Sequence, residues 1–267
     1  MDAAPGDGAA HFTLHRDVVY GHAPLAGART ALSCTLFLPG GVTAPPLFAW
    51  FHAGAFKFGS HDHKAARRLG RRLTREGIAV ASVGYRLRAD VSDLSAPVRA
   101  RLDDLAALQG RLIRPGLCQA RSLAALEDGL RFLDWADANA ARYGWGPRRV
   151  VGGASAGGIT AFNMAFSPPA LGLAQQGLDG VFATSGGYNY PSLVAGNDRV
   201  VALAQHNPDD PRVSVKGVRM VKRALGARMT LLESPEMMHG HLDLTPGEKP
   251  RVTFRRVADF VHAATAG

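Results

Sequence analysis

Six short apolar runs, separated by stretches with helical periodicity, limit the folds open to this chain. They are "PLFAWFHAG" (46–54), "GIAVASVGYRL" (77–87), "RRVVGG" (148–153), "DGVFATSGG" (179–187), "RVVALAQ" (199–205) and "RMTLLESP" (228–235). The first two suit strands buried on both faces, as occur in parallel sheets covered by helices, and the other four read as further strands. The intervening segments supply the helices. "KAARRLGRRLTREG" (64–77) places Ala66, Leu69 and Leu73 on one face and arginines on the other. Residues 122–143 carry a stripe of Leu123, Leu126, Leu130 and Leu133, with Ser122 suited to the N-cap and Gly144 to the stop. "VSVKGVRMVKRAL" (213–225) and "PRVTFRRVADFVHAATA" (250–266) read as two more helices. Before all of these, segments 11–21 and 30–40 read as an antiparallel pair. Strands alternating with helices predict an α/β fold with a mostly parallel sheet, and no linker divides residues 1–267, so one domain is expected.

One segment interrupts the alternation. Residues 86–120 form an insertion in which Pro97 sits as at a first helical turn and Val98, Leu102, Leu105 and Leu112 repeat at helical spacing. Following a strand of the parallel sheet, it is expected over the carboxyl ends of the strands, where open α/β sheets bind ligands. It reads either as a substrate-facing lid or as a helix packed on the sheet edge.

Composition excludes several classes. With 46% hydrophobic residues in 267, the chain has the makeup of a soluble globular protein. No apolar run reaches the length of a membrane span. Residues 1–17 lack a basic start followed by an apolar stretch, so no secretory signal is read and a cytoplasmic location is the expectation. Cys34 and Cys118 have no metal-ligand spacing and are expected as buried thiols, a single bridge being the alternative. No metal site and no cofactor are expected. The net charge of +9 comes largely from arginines that fall on solvated helix faces, without interleaved aromatics, and does not point to nucleic acid.

The chemistry sits at "VVGGASAGGIT" (150–160), where a lone serine lies between glycines directly behind an apolar strand. A Gly-rich turn is the plain reading; the sharper one is a nucleophile on a strand-to-helix elbow, where only small neighbours leave room for the backbone. A serine hydroxyl needs a base to take its proton and a carboxylate to orient that base. Both follow in chain order, each just past a strand: "HNPDDPRVS" after 199–205 and "EMMHGH" after 228–235.

These segments resemble the α/β-hydrolases of the serine carboxylesterase/lipase group, the hormone-sensitive-lipase-like and feruloyl-esterase-like enzymes. "FHAGAFKFGS" resembles that group's His-Gly-Gly oxyanion segment, "GIAVASVGYRL" its following strand, and "EDGLRFLDWADANAARYGWGPRRVVGGASAGG" its helix–strand–elbow unit, over about residues 30–265. The resemblance implies Ser155 as nucleophile, Asp210 as acid and His239 as base. Asp209 and His241 are the competitors. It implies an oxyanion hole from the backbone N–H groups of Gly54, Ala55 and Ala156, with His52 bracing that loop. Its substrate would be a small-molecule ester, with short acyl or small aromatic esters expected under so small a roof. Amide hydrolysis, acyl transfer and a non-catalytic binding module on the same fold are the alternatives. Departures from the group are Ala53 for Gly, Ala154 for an acidic residue, Lys57 for an apolar one, Asn207 for Gly and Ser214 for Pro.

Overall fold

In the computed structural model, residues 12–266 are described. Residues 1–11, from which the expectation of no secretory signal was partly read, lie outside them. Eight strands form one sheet: β1 (Phe12–Leu25), β2 (Ala28–Pro39), β3 (Leu47–Phe51), β4 (Ala79–Val83), β5 (Arg149–Ala154), β6 (Gly180–Thr184), β7 (Val201–His206) and β8 (Met229–Glu233). Their order across the sheet is β1-β2-β4-β3-β5-β6-β7-β8. β1, β2 and β4 pair antiparallel, and every pairing from β4 through β3 to β8 is parallel.

The central strands show why they read as continuous apolar runs. All five residues of β3, β4 and β6 are buried. Within β3 the side chains alternate between layers. Leu47, Ala49 and Phe51 join one core and Phe48 and Trp50 the other, as the period of two requires. The first layer holds α4 (Ala120–Ala138) and α6 (Ala156–Phe166), and the second holds α1 (Lys64–Leu73) and α8 (Pro250–Thr265). In α1 the buried residues are Ala66, Leu69, Gly70 and Leu73, with the arginines outward. The single helix expected over 122–143 is broken at Asn139, and α5 (Ala140–Tyr143) carries the chain on to Gly144, whose φ of 80° is the left-handed stop expected there. α7 (Lys216–Leu225) packs beside β8. No helix among the described residues is long and apolar enough to cross a membrane.

Two further expectations need correction. α4 starts at Ala120 with Gln119 as its cap, and Ser122 lies inside it, buried, its hydroxyl donating to the Gln119 carbonyl. Burying Ala120 extends the helix toward its N-terminus, and the serine hydroxyl then folds back rather than capping. The single amphipathic helix expected in 86–120 is two short ones, α2 (Ala96–Ala100) and α3 (Leu102–Ala107), broken at Arg101. Val98 and Leu105 are buried, but Leu112 lies beyond α3, past a left-handed Arg111 at φ 50°. There the chain turns to bond the sheet loops instead of continuing the helix. Gly110 N–H donates to the Asn189 carbonyl (2.7 Å), and Leu112 N–H to its Oδ1 (2.8 Å). Both cysteines are buried and unbridged.

Candidate active site

The elbow after β5 follows from crowding. Ser155 has φ 52° and ψ −114°, a conformation costing a non-glycine residue about 1–3 kcal/mol. It is held by its N–H donating to the Thr184 carbonyl and by Ile159 N–H donating to its own carbonyl. A Cβ on Gly157 would lie 2.0 Å from the Phe51 carbonyl oxygen, and one on Gly153 would lie 2.3 Å from the Gly157 carbonyl carbon. The elbow therefore packs backbone against backbone at the end of β3, where any side chain would force the two segments apart. α6 opens at the serine and directs its positive end there.

Three loops at the carboxyl edge converge on Ser155. Its Oγ lies 2.8 Å from His239 Nε2, and His239 Nδ1 lies 2.6 Å from Asp210 Oδ2. Asp210 is buried; its Oδ1 accepts from Arg212 and Val213 N–H at 2.8 and 3.1 Å. Burial alone would raise the Asp210 carboxyl, but the His239 ring N–H and the two backbone N–H groups outweigh it and hold the carboxyl below its ordinary value. An ionised Asp210 only accepts, so the His239 proton resides on Nδ1 and Nε2 is left as an acceptor facing the serine hydroxyl. Asp209 and His241 are exposed and do not take these places.

The segment after β3 lies beside the elbow. Ala53, at the usual glycine position, is absent from the positive-φ residues, whereas Gly54 and Ala55 have φ of 133° and 53°. A Cβ on Gly54 would meet the Phe58 carbonyl oxygen at 1.9 Å. Neither Gly54 nor Ala55 N–H has an acceptor among the described residues, and Ala156, first in its helix, has no intrahelical one. His52 is buried and donates from Nδ1 to the Ala53 carbonyl (2.7 Å), and its ring stacks on Tyr85 at 4.3 Å. Burial lowers its pKa to about 4. Lys57 is exposed.

Sequence reasoning missed the residues that hold the His239 loop. Asn207 Nδ2 donates to the Pro235 and Met237 carbonyls, both at 2.9 Å, while its Oδ1 accepts from Asp209 N–H (2.8 Å). Ser185 Oγ accepts from Gly240 N–H (2.9 Å), Thr184 Oγ1 donates to the His241 carbonyl, and Gln205 Nε2 donates to the Leu242 carbonyl (2.6 Å). The ends of β6 and β7 thus fasten both sides of His239. The one sequence signal was Asn207 standing where the resembling group has glycine. His206, at the end of β7, is buried and donates from Nε2 to the Val213 carbonyl (2.9 Å), which packs it under the Asp210 turn; burial lowers its pKa. Among the described residues no three His, Cys, Asp or Glu side chains gather as a metal site would require.

No protein-family model matches the chain, and no curated protein matches its sequence. Solved structures do match its fold. A truncated carbohydrate esterase from gut microbiota is 15% identical, with a TM-score of 0.65 over 99% of this chain and 100% of that one. A hyperthermophilic esterase from the archaeon Pyrobaculum calidifontis is 17% identical, with a TM-score of 0.63 over 96% of this chain and 87% of that one. A fungal esterase from Rhizomucor miehei is 15% identical, with a TM-score of 0.63 over 96% and 85%. At these identities the likeness establishes architecture, and the chain has the α/β-hydrolase fold.

Proposed function

We propose that the chain is a serine carboxylic-ester hydrolase acting on short-acyl or small aromatic esters. The observation that carries the reading is the relay from Ser155 through His239 to a buried, ionised Asp210, with hydrogen bonds of 2.8 and 2.6 Å. His239 Nε2 takes the serine proton as Oγ attacks the ester carbonyl, and the negative charge forming on the carbonyl oxygen is met by the Gly54, Ala55 and Ala156 N–H groups. Collapse of the tetrahedral intermediate breaks the bond to the alcohol, which leaves with the proton from His239. Water, deprotonated by the same nitrogen, then releases the acid from Ser155. No step in this cycle calls for a metal or cofactor.

Substrate size is read from the roof. The insertion contributes only α2, α3 and turns near the carboxyl edge, where it bonds Asn189 and where Arg114 donates to the Pro211 carbonyl (2.7 Å). So small a cover excludes water from a short chain or a ring. A long acyl chain gains its ~0.8 kcal/mol per methylene only where water is excluded. The esterase names of the structural neighbours agree with this chemistry.

The test is kcat/KM on 4-nitrophenyl acetate, butyrate, octanoate and palmitate for the wild type and Ser155→Ala, with and without an acceptor alcohol. The expected result is a maximum at acetate or butyrate, free acid as product, and loss on the order of 10⁴ in the variant. Near-normal turnover by Ser155→Ala would overturn the reading, and a rate climbing to palmitate would overturn the substrate class.

A further inference from the structure

Beside the proposed triad lies a groove of about 580 Å³ between the insertion and the turn that carries Asp210. One wall includes Gln109, Arg111 and Arg114; the other includes Asp210, Arg212 and Lys216. Its charge is one-sided. The only acid lining it is Asp210, whose carboxylate is already occupied by His239 and by the Arg212 and Val213 N–H groups. Among the described residues, none of the four cations is within 4.0 Å of a carboxylate. Some arginines elsewhere find one, as Arg16 does in Asp62, Arg86 in Asp128, Arg219 in Glu233 and Arg256 in Glu248, while others on exposed helix faces, such as Arg71 and Arg72, do not. A larger groove at the opposite edge of the sheet is lined by Arg148 and Arg149, which pair with Asp179 and Asp137, and by Arg199, which has no carboxylate within 4.0 Å among the described residues. Four unneutralised cations in one cleft repel one another, and their field is focused by the cleft walls.

The groove is also built. Its outer wall is tied to the sheet loops by Gly110 and Leu112 N–H on Asn189 and by Arg114 on the Pro211 carbonyl. Arg111 is held at φ 50°, a backbone conformation that L side chains rarely adopt. A strained arginine on a pinned wall, facing unpaired cations across a cleft, is an arrangement that an anion would complete. Its position gives the anion a use. Asp210 forms part of the lining, and only the His239 ring separates Asp210 from the Ser155 hydroxyl.

We propose that this groove binds an anionic group of the substrate, so that the favoured esters carry a carboxylate, sulfate or phosphate. The inference rests on the hydrolase reading for its substrate and on the groove alone for its binding. A bound oxyanion accepts hydrogen bonds from the guanidinium groups, which contribute to ground state and transition state alike and so lower KM more than they raise kcat.

The experiment compares charged and neutral partners: 4-nitrophenyl hydrogen glutarate with 4-nitrophenyl butyrate, and 4-acetoxybenzoate with 4-acetoxybenzamide. At low salt at least one anionic member is expected to be preferred about ten-fold or more through KM, fading as salt screens the groove. In Arg111→Asn with Lys216→Gln the ratio of anionic to neutral kcat/KM falls about ten-fold, while Arg111→Lys retains most of it. A calorimetric titration of Ser155→Ala with inorganic sulfate tests the groove independently of turnover, and binding is expected to weaken in the same double variant. Turnover of neutral esters with no anionic preference overturns this inference and leaves the hydrolase reading intact. Sulfate binding without any ester turnover overturns the hydrolase reading and this substrate assignment together. Absence of sulfate binding overturns the groove.

Discussion

The Asp210→Asn exchange separates the electrical role of this carboxyl from its structural one, because the geometry dictates how the new amide must sit. Oδ1 accepts from two backbone N–H groups, those of Arg212 and Val213. An amide placed with its nitrogen there would set donor against two donors inside a buried turn, so the oxygen keeps that side. The nitrogen then replaces Oδ2, 2.6 Å from His239 Nδ1. Two donors face each other unless His239 moves its proton to Nε2. Once there, the proton points at the Ser155 hydroxyl 2.8 Å away, and the ring can no longer accept from it. The expected loss in kcat is on the order of 10⁴, with little change in KM. The turn bonds survive, so the stability cost is about 1–2 kcal/mol, a shift of roughly 2–6 °C in Tm for a chain of this size. Asp210→Ala should lose comparable activity but unfold earlier, since it also strips both turn N–H groups of their acceptor. Steady-state kinetics on 4-nitrophenyl butyrate, with thermal melts of both variants, measure the two effects. If Asp210→Asn keeps a tenth or more of wild-type kcat, Asp210 does not set the His239 tautomer and the relay argument is wrong.

Asn207→Ala should lower kcat by about 10- to 100-fold at nearly constant KM, because releasing the Pro235 and Met237 carbonyls loosens the loop that aims His239. Equal effects on kcat and stability without this split would mark Asn207 as a structural residue only. Acid should weaken the fold through His52, whose folded pKa of about 4 lies below its unfolded value near 6.5. The unfolded chain takes up this proton first. Its stabilising contribution is therefore complete above about pH 6.5 and is lost as pH falls toward 4, up to ~3 kcal/mol in all. A His52 imidazole that titrates above pH 6 in an NMR experiment would contradict this.

The legible part of the molecule was the part governed by short-range rules. Strands buried on both faces must be apolar throughout, so β3 through β7 stood out, as did the elbow, where Gly153 and Gly157 are needed for backbone contact. The choice between Asp209 and Asp210, or between His239 and His241, rested on resemblance. In the structure the turns project Asp210 and His239 inward and leave Asp209 and His241 exposed, and that placement depends on bonds across the sheet. Asp210 is aimed by its own turn N–H groups; His239 is aimed by Asn207, Ser185, Thr184 and Gln205 from two other strands. Such partners are separated from His239 by 32 to 55 positions in the chain, and no periodicity reports them. The insertion was misread for the same reason. Helical spacing of Val98, Leu102, Leu105 and Leu112 is a local signal, whereas the turn at Arg111 answers to Asn189, 78 residues downstream of it. Asn207 joins the two cases. A glycine at that position could not hold the His239 loop, so the residue that looked like a departure from the resembling group is the one that ties the Asp210 turn to that loop.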